Sequence, residues 1–176
     1  RIYYYDDLDA NFGAPTNPRH CISFQQRVVF GDIVVDSVRE IGTIAWSDRY
    51  QNKRFDGASA GTANTGTSVV GLAPFKDKLI IFAHNHISQL VNINDVATIA
   101  IIPITTHTGC ISAQTIQVMA NDVIFLSYDG IRVLSASDLY GDITFGIISL
   151  PIDEYVKTII NGSSGFDLSS CMIRNK

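Results

Sequence analysis

The chain has 176 residues, of which 46% are hydrophobic, and a formal net charge of −4 at pH 7. This composition is typical of a globular protein and excludes a disordered or collagen-like chain. The small negative charge gives no single-sign field that would attract nucleic acid or a membrane surface. Isoleucine, valine and threonine are frequent while glutamate and lysine are scarce, which favours β-sheet over helix.

Residues 1–19 are first aromatic and acidic and then rich in turn-forming residues, which predicts a first strand followed by a loop. The opening RIYYYDDLD has neither an initiating methionine nor the pattern of a secretory signal peptide, and is compatible with a segment of a longer protein. The longest apolar tract, residues 99–104, contains Pro103 and is far shorter than the ~20 residues of a membrane-spanning helix. We therefore expect no membrane span.

A phrase recurs three times with variation: FQQRVVFG at residues 24–31, FKDKLIIF at 75–82 and MANDVIFL at 119–126. Each copy begins with a large apolar residue, continues through a short polar stretch and ends in a nearly continuous apolar run. Such a run is typical of a strand covered on both faces. The copies begin 51 residues apart (24 to 75) and then 44 apart (75 to 119), the length of a four-stranded propeller blade. The sequence thus predicts an all-β fold that is part of a β-propeller of antiparallel blades.

Between the first two copies, residues 34–38 and 41–46 are predicted as short strands divided by polar turns. Residues 56–68, DGASAGTANTGTS, contain no large side chain and are predicted to form a flexible loop that adds nothing to the core. In the second repeat, residues 97–106 form a further apolar segment that precedes Gly109.

The second and third copies continue in the same way, since FAHNHISQL at residues 82–90 aligns without a gap with LSYDGIRVL at 126–134. Asp129 and Gly130 predict a tight hairpin turn, because positive φ at both central positions favours this pair of residues. The alignment places the HNH segment of the second repeat at the matching turn.

After the third repeat, the sequence ISLPIDEYVKTIING predicts one or two turns of amphipathic helix. Four apolar residues there have helical spacing: Ile152, Tyr155, Val156 and Ile159. The expected organisation has three parts: a first strand and loop (1–19), an incomplete propeller of about three blades (20–60, 69–108 and 109–150) and a connecting C-terminal segment (151–176). Because closure of a propeller takes about four blades or more, the open edges are expected to recruit further sequence or a partner chain.

Gly57-Ala58-Ser59-Ala60-Gly61 matches the G-x-S-x-G pattern of a hydrolase nucleophile elbow. The elbow requires a serine between a buried strand and a helix, and no helix is predicted after these residues. Chance within a low-complexity stretch is the better interpretation.

His84 and His86 form an H-x-H pair of the kind found in some zinc and copper sites. The closest carboxylates, Asp77 and Asp95, do not have a spacing that would supply a third ligand. Polar residues at a turn are the preferred interpretation.

Asp7-Leu8-Asp9-Ala10-Asn11 resembles the start of a calcium loop, but the required glycine and glutamate are replaced by Phe12 and Pro18. An acidic surface turn is therefore preferred. Asn161-Gly162-Ser163 is a glycosylation sequon, which has meaning only in a secreted eukaryotic protein.

Arg49, Lys53 and Arg54 lie beside Tyr50 and Phe55, a mixture of charge and aromatic surface that could bind single-stranded nucleic acid. The stretch is short and has an aspartate on each side, so a solvated loop between strands is preferred.

The three cysteines have wide, irregular spacing and are interpreted as small buried hydrophobes: Cys21, Cys110 and Cys171. The sequence therefore predicts no catalytic, cofactor-binding or metal-binding residue, and no enzyme activity.

Residues 18–31, PRHCISFQQRVVFG, resemble the F-x-Q-R-L-x-F-G phrase that begins a propeller blade in the tail nozzle (tail tubular) proteins of short-tailed bacteriophages. Ala45-Trp46-Ser47, with Phe55 beyond it, is similar to the W-x-S and N-F phrases of that family, although here serine directly follows tryptophan. The resemblance covers roughly residues 15–150 and continues at four further places: Gly71-Leu72, residues 78–82, Gly109-Cys110 and residues 124–131.

The resemblance implies a structural protein of the virion tail, several copies of which form a ring around the channel through which the genome leaves. The partners it implies are copies of the same chain, other tail or adaptor proteins, and genomic DNA that passes without specific binding. It implies no catalytic or cofactor-binding residue. A mildly acidic chain suits such a conduit, because each lysine or arginine that neutralises a phosphate adds salt-dependent attraction.

Two other functions remain open. A carbohydrate- or receptor-binding propeller would use exposed aromatic residues at loop tips, and the candidates are Tyr50, Tyr128 and Tyr140. A propeller glycosidase would need two carboxylates about 5–10 Å apart. The candidates for these are Asp32, Asp36 and Asp129.

Overall fold

Twelve strands form three antiparallel four-stranded sheets in the part of the chain that the computed structural model describes, residues 15–35, 37–95, 97–119, 122–136, 143–162 and 168–171. The strands of sheet 1 are β1 (His20–Phe24), β2 (Arg27–Val35), β3 (Val38–Trp46) and β4 (Gly61–Asn64). Those of sheet 2 are β5 (Val69–Phe75), β6 (Lys78–Ala83), β7 (Ile87–Val91) and β8 (Ala100–Thr105). Those of sheet 3 are β9 (Gln117–Met119), β10 (Asp122–Ser127), β11 (Gly130–Ala136) and β12 (Ile143–Ile147). α1 (Asp153–Gly162) follows sheet 3, and the described residues also include two 3-10 turns, Ala113–Thr115 and Leu150–Ile152.

Every sheet is a simple meander in which each strand pairs with the next one along the chain. The prediction of a mostly β chain with antiparallel four-stranded sheets and a short C-terminal helix is confirmed. Of the predicted first strand and loop, residues 1–14 lie outside the described part, and Thr16 forms an isolated antiparallel bridge with Val34.

The three copies of the repeated phrase occupy the same place in the three sheets. Each copy spans the end of a first strand, two intervening residues and the start of a second strand. The residues that flank these two pair in the same way in every copy: Phe24 with Arg27, Phe75 with Lys78 and Met119 with Asp122. The next hairpins of sheets 2 and 3 also match, since Phe82 pairs with Ile87 and Leu126 pairs with Ile131. The gapless alignment of these segments is thus confirmed.

The apolar run of β6 is continuous because both faces of sheet 2 are covered. Leu79 and Ile81 pack into the apolar cluster shared with sheet 1, while Ile80 and Phe82 pack into the cluster shared with sheet 3. Successive side chains of a strand point to opposite faces, so a strand between two sheets needs apolar residues at every position. The prediction for this run is confirmed.

α1 covers the face of sheet 3 that points away from sheet 2. Val156 and Ile160 are the buried residues of the helix, and they pack with Ile111 and with partly buried residues of sheet 3. The predicted amphipathic helix is therefore present, and of the four apolar residues with helical spacing Val156 is the buried one. Ile152, Tyr155 and Ile159 do have helical spacing, and they face outward with 53%, 69% and 39% of their surface exposed.

The prediction of a flexible loop over residues 56–68 was wrong for its second half, where β4 completes sheet 1. An outer strand needs backbone hydrogen bonds more than large side chains, and β4 pairs with β3 from Thr43↔Asn64 to Trp46↔Gly61. The small residues are required by a neighbour, since a Cβ atom on Gly61 would lie 2.7 Å from Cζ2 of Trp46. The indole of Trp46 thus occupies the space that a larger side chain would need.

The predicted strand at residues 41–46 lies within β3, whereas the predicted strand at residues 34–38 was placed wrongly. Val35 pairs with Val38, so β2 ends and β3 begins inside residues 34–38, and both strands are nine residues long. Their register shifts between Gly31 and Ile33, where Asp32 has a φ of 54°. This irregularity interrupts the alternation of polar and apolar residues that sequence patterns rely on.

The hairpin turn predicted at Asp129 and Gly130 lies one residue earlier. Ser127 pairs with Gly130, so the central residues are Tyr128 and Asp129. Gly130 begins β11 with a φ of 130°, and a Cβ atom there would lie 2.4 Å from Oγ of Ser149. Glycine is needed at this position because of its conformation and its close approach to Ser149.

The interpretation of all three cysteines as buried was wrong for two of them. Cys110 is buried, whereas Cys21 and Cys171 are exposed. Cys21 alternates along β1 with Ile22 and Phe24, which pack toward sheet 2, so its side chain points the other way. Within the described residues, no helix has the length and apolar character needed to cross a membrane.

Candidate functional site

The most extensive buried polar cluster centres on Arg27, the first residue of β2. Gln25 and Gln26 form the preceding turn with φ values of 46° and 59°, as a tight hairpin turn requires. This turn directs the Arg27 side chain into the protein, where only 1% of its surface is exposed. A buried guanidinium needs many acceptors, since it carries five N–H donors.

Arg27 finds these acceptors in the segment between β3 and β4. Its Nη1 donates to the backbone oxygen of Ser47 at 2.7 Å and to that of Ser59 at 2.9 Å. Trp46 also donates from Nε1 to the Ser59 oxygen at 3.2 Å, and the Ser47 hydroxyl accepts from the backbone N–H of Val28 at 2.9 Å. Arg27 thus binds the segment of residues 47–60 near both of its ends.

The same turn connects sheet 1 to sheet 2. Nε of Arg27 donates to Oδ1 of Asn94 at 3.3 Å, and Asn94 in turn donates from Nδ2 to Oε1 of Gln25 at 2.7 Å. Gln25 donates from Nε2 to the backbone oxygen of Asp77 at 3.0 Å. Asp77 and Asn94 belong to the β5–β6 turn and the β7–β8 loop of sheet 2, so the polar part of the first repeated phrase links two sheets. We name Gln25, Arg27, Asn94 and their partners Ser47 and Ser59 the arginine network.

The pKa shifts within the arginine network favour a role in holding chain segments together over a role in proton transfer. Burial lowers the pKa of the Arg27 guanidinium, and the negative charge of Asp48 partly offsets this shift. The Ser59 hydroxyl donates a hydrogen bond to the Asp48 carboxylate, and this bond holds the pKa of Asp48 below its usual range. A carboxylate with a lowered pKa is a weaker base, so this hydrogen bond makes Asp48 a poorer proton acceptor for Ser59.

The G-x-S-x-G match is explained by this geometry. Ser59 lies in the segment before β4, without the helix that a nucleophile elbow needs after its serine. Its hydroxyl also lies 3.2 Å from Nη1 of Arg27. Ser59 is therefore a structural residue of the arginine network.

Asp32 forms a second buried polar site in sheet 1. Its side chain is 2% exposed and makes ion pairs with Arg39 at 2.6 Å and with Arg19 at 3.3 Å. Both arginines neutralise the carboxylate where the register of β2 and β3 shifts. Asp129 is likewise held by an ion pair with Arg132, which lowers the pKa of Asp129. These two glycosidase candidates are thus engaged by arginines, and Asp36 lies outside the described residues.

The predicted histidine pair lies at the β6–β7 turn, as expected. His86 contacts Oγ1 of Thr67 through its ring nitrogens at 2.9 and 3.0 Å, and burial lowers its pKa. Among the described residues, no group of three or more histidine, cysteine, aspartate or glutamate side chains could hold a metal ion. The calcium-like segment at residues 7–11 and Ser163 of the sequon lie outside these residues.

A groove of about 220 Å³ lies where the three sheets come together. Its lining includes residues at or beside the first strand of every sheet: Arg19, His20 and Cys21 for sheet 1, Gly71 and Leu72 for sheet 2, and Ala113 and Ile116 for sheet 3. Burial lowers the pKa of His20, and the nearby Asp32 carboxylate opposes that shift.

The basic loop and the tyrosine candidates are at the surface. All residues from 49 to 54 are exposed, which confirms the prediction of a solvated loop. Tyr50 and Tyr128 are 72% and 60% exposed, but they belong to sheets 1 and 3, with sheet 2 between them. Tyr140 lies outside the described residues.

The sequence patterns do not predict the arginine network. The feature that could have indicated it is an arginine at the start of an otherwise apolar run, directly after a polar turn, which occurs only in the first repeat. In comparisons with known proteins, no family model matches the chain and no curated protein matches it significantly.

Proposed function

We propose that the chain is a structural component of the virion tail of a short-tailed bacteriophage, and that it forms part of the ring-shaped nozzle through which DNA is ejected. In this proposal, sheets 1 to 3 are consecutive blades of a β-propeller. The chain acts by assembling with copies of itself and with other tail or adaptor proteins, and it has no catalytic activity.

The observation that carries the proposal is the equivalence of the three repeats. The repeated phrases have the same register in three sheets that pack face to face in chain order. The groove lined by all three sheets supports a fan in which the first strands come together, as the inner strands of propeller blades do.

The polar groups support a structural role as well. Among the described residues, Arg27 is the most deeply buried charged side chain, and it donates to backbone and amide oxygens of sheets 1 and 2. Such a buried polar network stabilises one arrangement of the sheets. The net charge of −4 favours passage of DNA over its retention.

Electron microscopy of the purified protein tests the proposal. We expect a ring of several copies around an axial pore, and an isolated compact monomer would contradict the assignment. A DNA mobility-shift assay at physiological salt is the companion measurement, and we expect no stable complex with the ring.

A receptor-binding propeller is the second candidate, because Tyr50 and Tyr128 expose most of their surface. A glycan array with the protein and with the variants Tyr50→Ala and Tyr128→Ala would separate the two functions. Binding that either substitution abolishes would favour the receptor-binding function over the nozzle.

A further inference from the structure

The outward side of α1 carries an apolar surface, which we name the α1 patch. It consists of five large side chains within 12 residues: Ile148, Leu150, Ile152, Tyr155 and Ile159, with 50%, 67%, 53%, 69% and 39% of their surface exposed. Leu150, Ile152 and Tyr155 line a groove of about 590 Å³. Exposed apolar residues that share a groove typically mark an interaction site.

The α1 patch has an acidic margin. Asp153 and Glu154 lie in the first turn of the helix and line the groove. Lys157 pairs with Asp153 at 2.5 Å, while the Glu154 side chain is exposed beside the groove. This end of the molecule therefore offers an apolar centre and a net negative edge.

The opposite end of the sheet stack carries a basic and aromatic surface. Phe55 stacks on Phe30 with ring centroids 5.1 Å apart, on the face of sheet 1 that points away from sheet 2. The residues before Phe55 form an exposed loop with three cations and one tyrosine, which we name the basic loop: Arg49, Tyr50, Lys53 and Arg54.

The basic loop is held in one shape. The backbone N–H of Asp48 donates to the Arg54 oxygen at 2.7 Å, and that of Tyr50 donates to the Gln26 oxygen at 2.9 Å. The Arg49 guanidinium lies 5.0 Å from the centre of the Tyr50 ring. An exposed surface that is already ordered loses less entropy when it binds.

We propose that the basic loop of one copy docks on the α1 patch of a second copy of this chain. The Arg49 guanidinium faces the exposed Glu154 carboxylate, since Arg54 and Asp153 already pair with Asp56 and Lys157, and the Tyr50 ring contacts the apolar centre. The two surfaces lie at opposite ends of the stack, on sheet 1 and beyond sheet 3, so each copy can use both at once. Such a heterologous contact generates a ring when its rotation closes. This inference rests on the proposed nozzle function and names the surfaces by which its copies meet.

Two double variants test the contact by sedimentation velocity and mass photometry. The α1 variant carries Ile152→Ser and Tyr155→Ser, and the loop variant carries Arg49→Glu and Tyr50→Asn. All four residues are exposed, and asparagine tolerates the φ of 60° at Tyr50, so both variants should fold. We expect each to lose assembly alone, with a dissociation constant raised about 30-fold or more, as for loss of an aromatic hot spot. Ile102→Ser, at a residue 43% exposed on β8 of the middle sheet, is the matched control and should assemble normally.

Mixing the two variants is the decisive step. The α1 variant retains its basic loop and the loop variant retains its α1 patch, so the mixture should form a one-to-one dimer that cannot grow. A loop variant that assembles as the unchanged protein does would show that α1 patches pair with each other, and would overturn the inference.

The outcomes separate this inference from the function on which it rests. Rings formed by the unchanged protein and by both variants would overturn the docking contact and leave the nozzle proposal intact. A monomeric unchanged protein would overturn the nozzle proposal, and the docking contact with it.

Discussion

The two junctions between neighbouring sheets are built from equivalent strands but held by different forces. The junction of sheets 1 and 2, the first junction, combines an apolar cluster around Trp46 with the arginine network. The junction of sheets 2 and 3, the second junction, is an apolar cluster in which the rings of Phe82 and Phe125 lie 5.0 Å apart at 58°. Where the first repeat has Arg27, the next two have Lys78 and Asp122.

The difference separates two tasks that a sheet junction performs. Apolar packing supplies most of the free energy, since it grows with the area removed from water and depends little on direction. Hydrogen bonds of a buried guanidinium add less free energy, but they require particular positions of their acceptors. The first junction is therefore expected to be the better defined in geometry, and the second to depend more completely on its aromatic pair.

Of the substitutions considered, Phe82→Ala should lower the free energy of unfolding the most, because it removes the central ring of the second junction. Phe82 has no exposed surface, and truncation of a buried phenylalanine typically lowers the free energy of unfolding by about 3–5 kcal/mol. Urea denaturation measures the change. Tyr128→Ala, at a residue 60% exposed, is the control and should change it by less than about 0.5 kcal/mol. Equal losses for the two variants would contradict a junction held by this aromatic pair.

Arg27→Met should lower the free energy of unfolding by less than Phe82→Ala does, and its effect should be confined more closely to the surrounding residues. Methionine fills much of the space but removes the Arg27 donor from the carbonyl oxygens of Ser47 and Ser59, of which that of Ser59 keeps Nε1 of Trp46, at a cost of about 1.5–3 kcal/mol. Compared with the unchanged protein, the variant should show faster hydrogen exchange of the backbone amides of residues 47–60, while the amides of sheet 3 should change little. Arg49→Met, at an exposed residue, is the control, and unchanged exchange in residues 47–60 of the Arg27 variant would refute the role of the arginine network.

Gly61→Val tests how closely β4 approaches the first junction. The added side chain would displace the Trp46 indole, because even its Cβ atom would lie 2.7 Å from Cζ2. Overpacking of this kind costs about 1–3 kcal/mol. Trp46 is the single tryptophan of the chain, so its fluorescence reports the displacement directly. Gly162→Ala, where nothing lies within 4 Å of the added carbon, should leave stability and emission unchanged.

The smallest expected effect is a pH dependence from His20, which lies in the groove where both junctions meet. Burial lowers the pKa of His20 in the folded protein, so the unfolded chain binds its proton first as the pH falls. Stability should therefore be complete above the ordinary histidine pKa of about 6.5 and decrease below it. Unfolding measured from pH 8 to 5 checks this trend, which His20→Gln should weaken. A stability that rises as the pH falls would give His20 the opposite shift.

The repeated architecture could be predicted from sequence because it depends on the spacing of apolar runs, which is visible in the sequence. Three apolar runs at similar spacing identified the second strand of every sheet, and the shared layout of residues 82–90 and 126–134 fixed a hairpin register. β4 escaped prediction, because a strand that borders on Trp46 is selected for small residues and has no apolar pattern.

The candidate site could not be predicted, because it joins residues distant in sequence. Arg27 lies 67 residues from Asn94, which the packing of sheet 1 on sheet 2 brings close, and 32 residues from Ser59, which lies in the segment between β3 and β4 of sheet 1. The sequence also left open which apolar residues of α1 pack. Apolar spacing groups Val156 with Ile152, Tyr155 and Ile159, but the contact with sheet 3 buries Val156 and Ile160 and leaves the other three exposed.

Pro103 in β8 has a consequence for how the protein behaves at high concentration. β8 is the outermost strand of the middle sheet, and its unpaired edge would otherwise be a template for strands of other molecules. Proline lacks the N–H that such pairing needs, and edge strands commonly carry it for this reason. Pro103 is therefore expected to disfavour the addition of strands of other molecules along this edge, which matters most at high protein concentration.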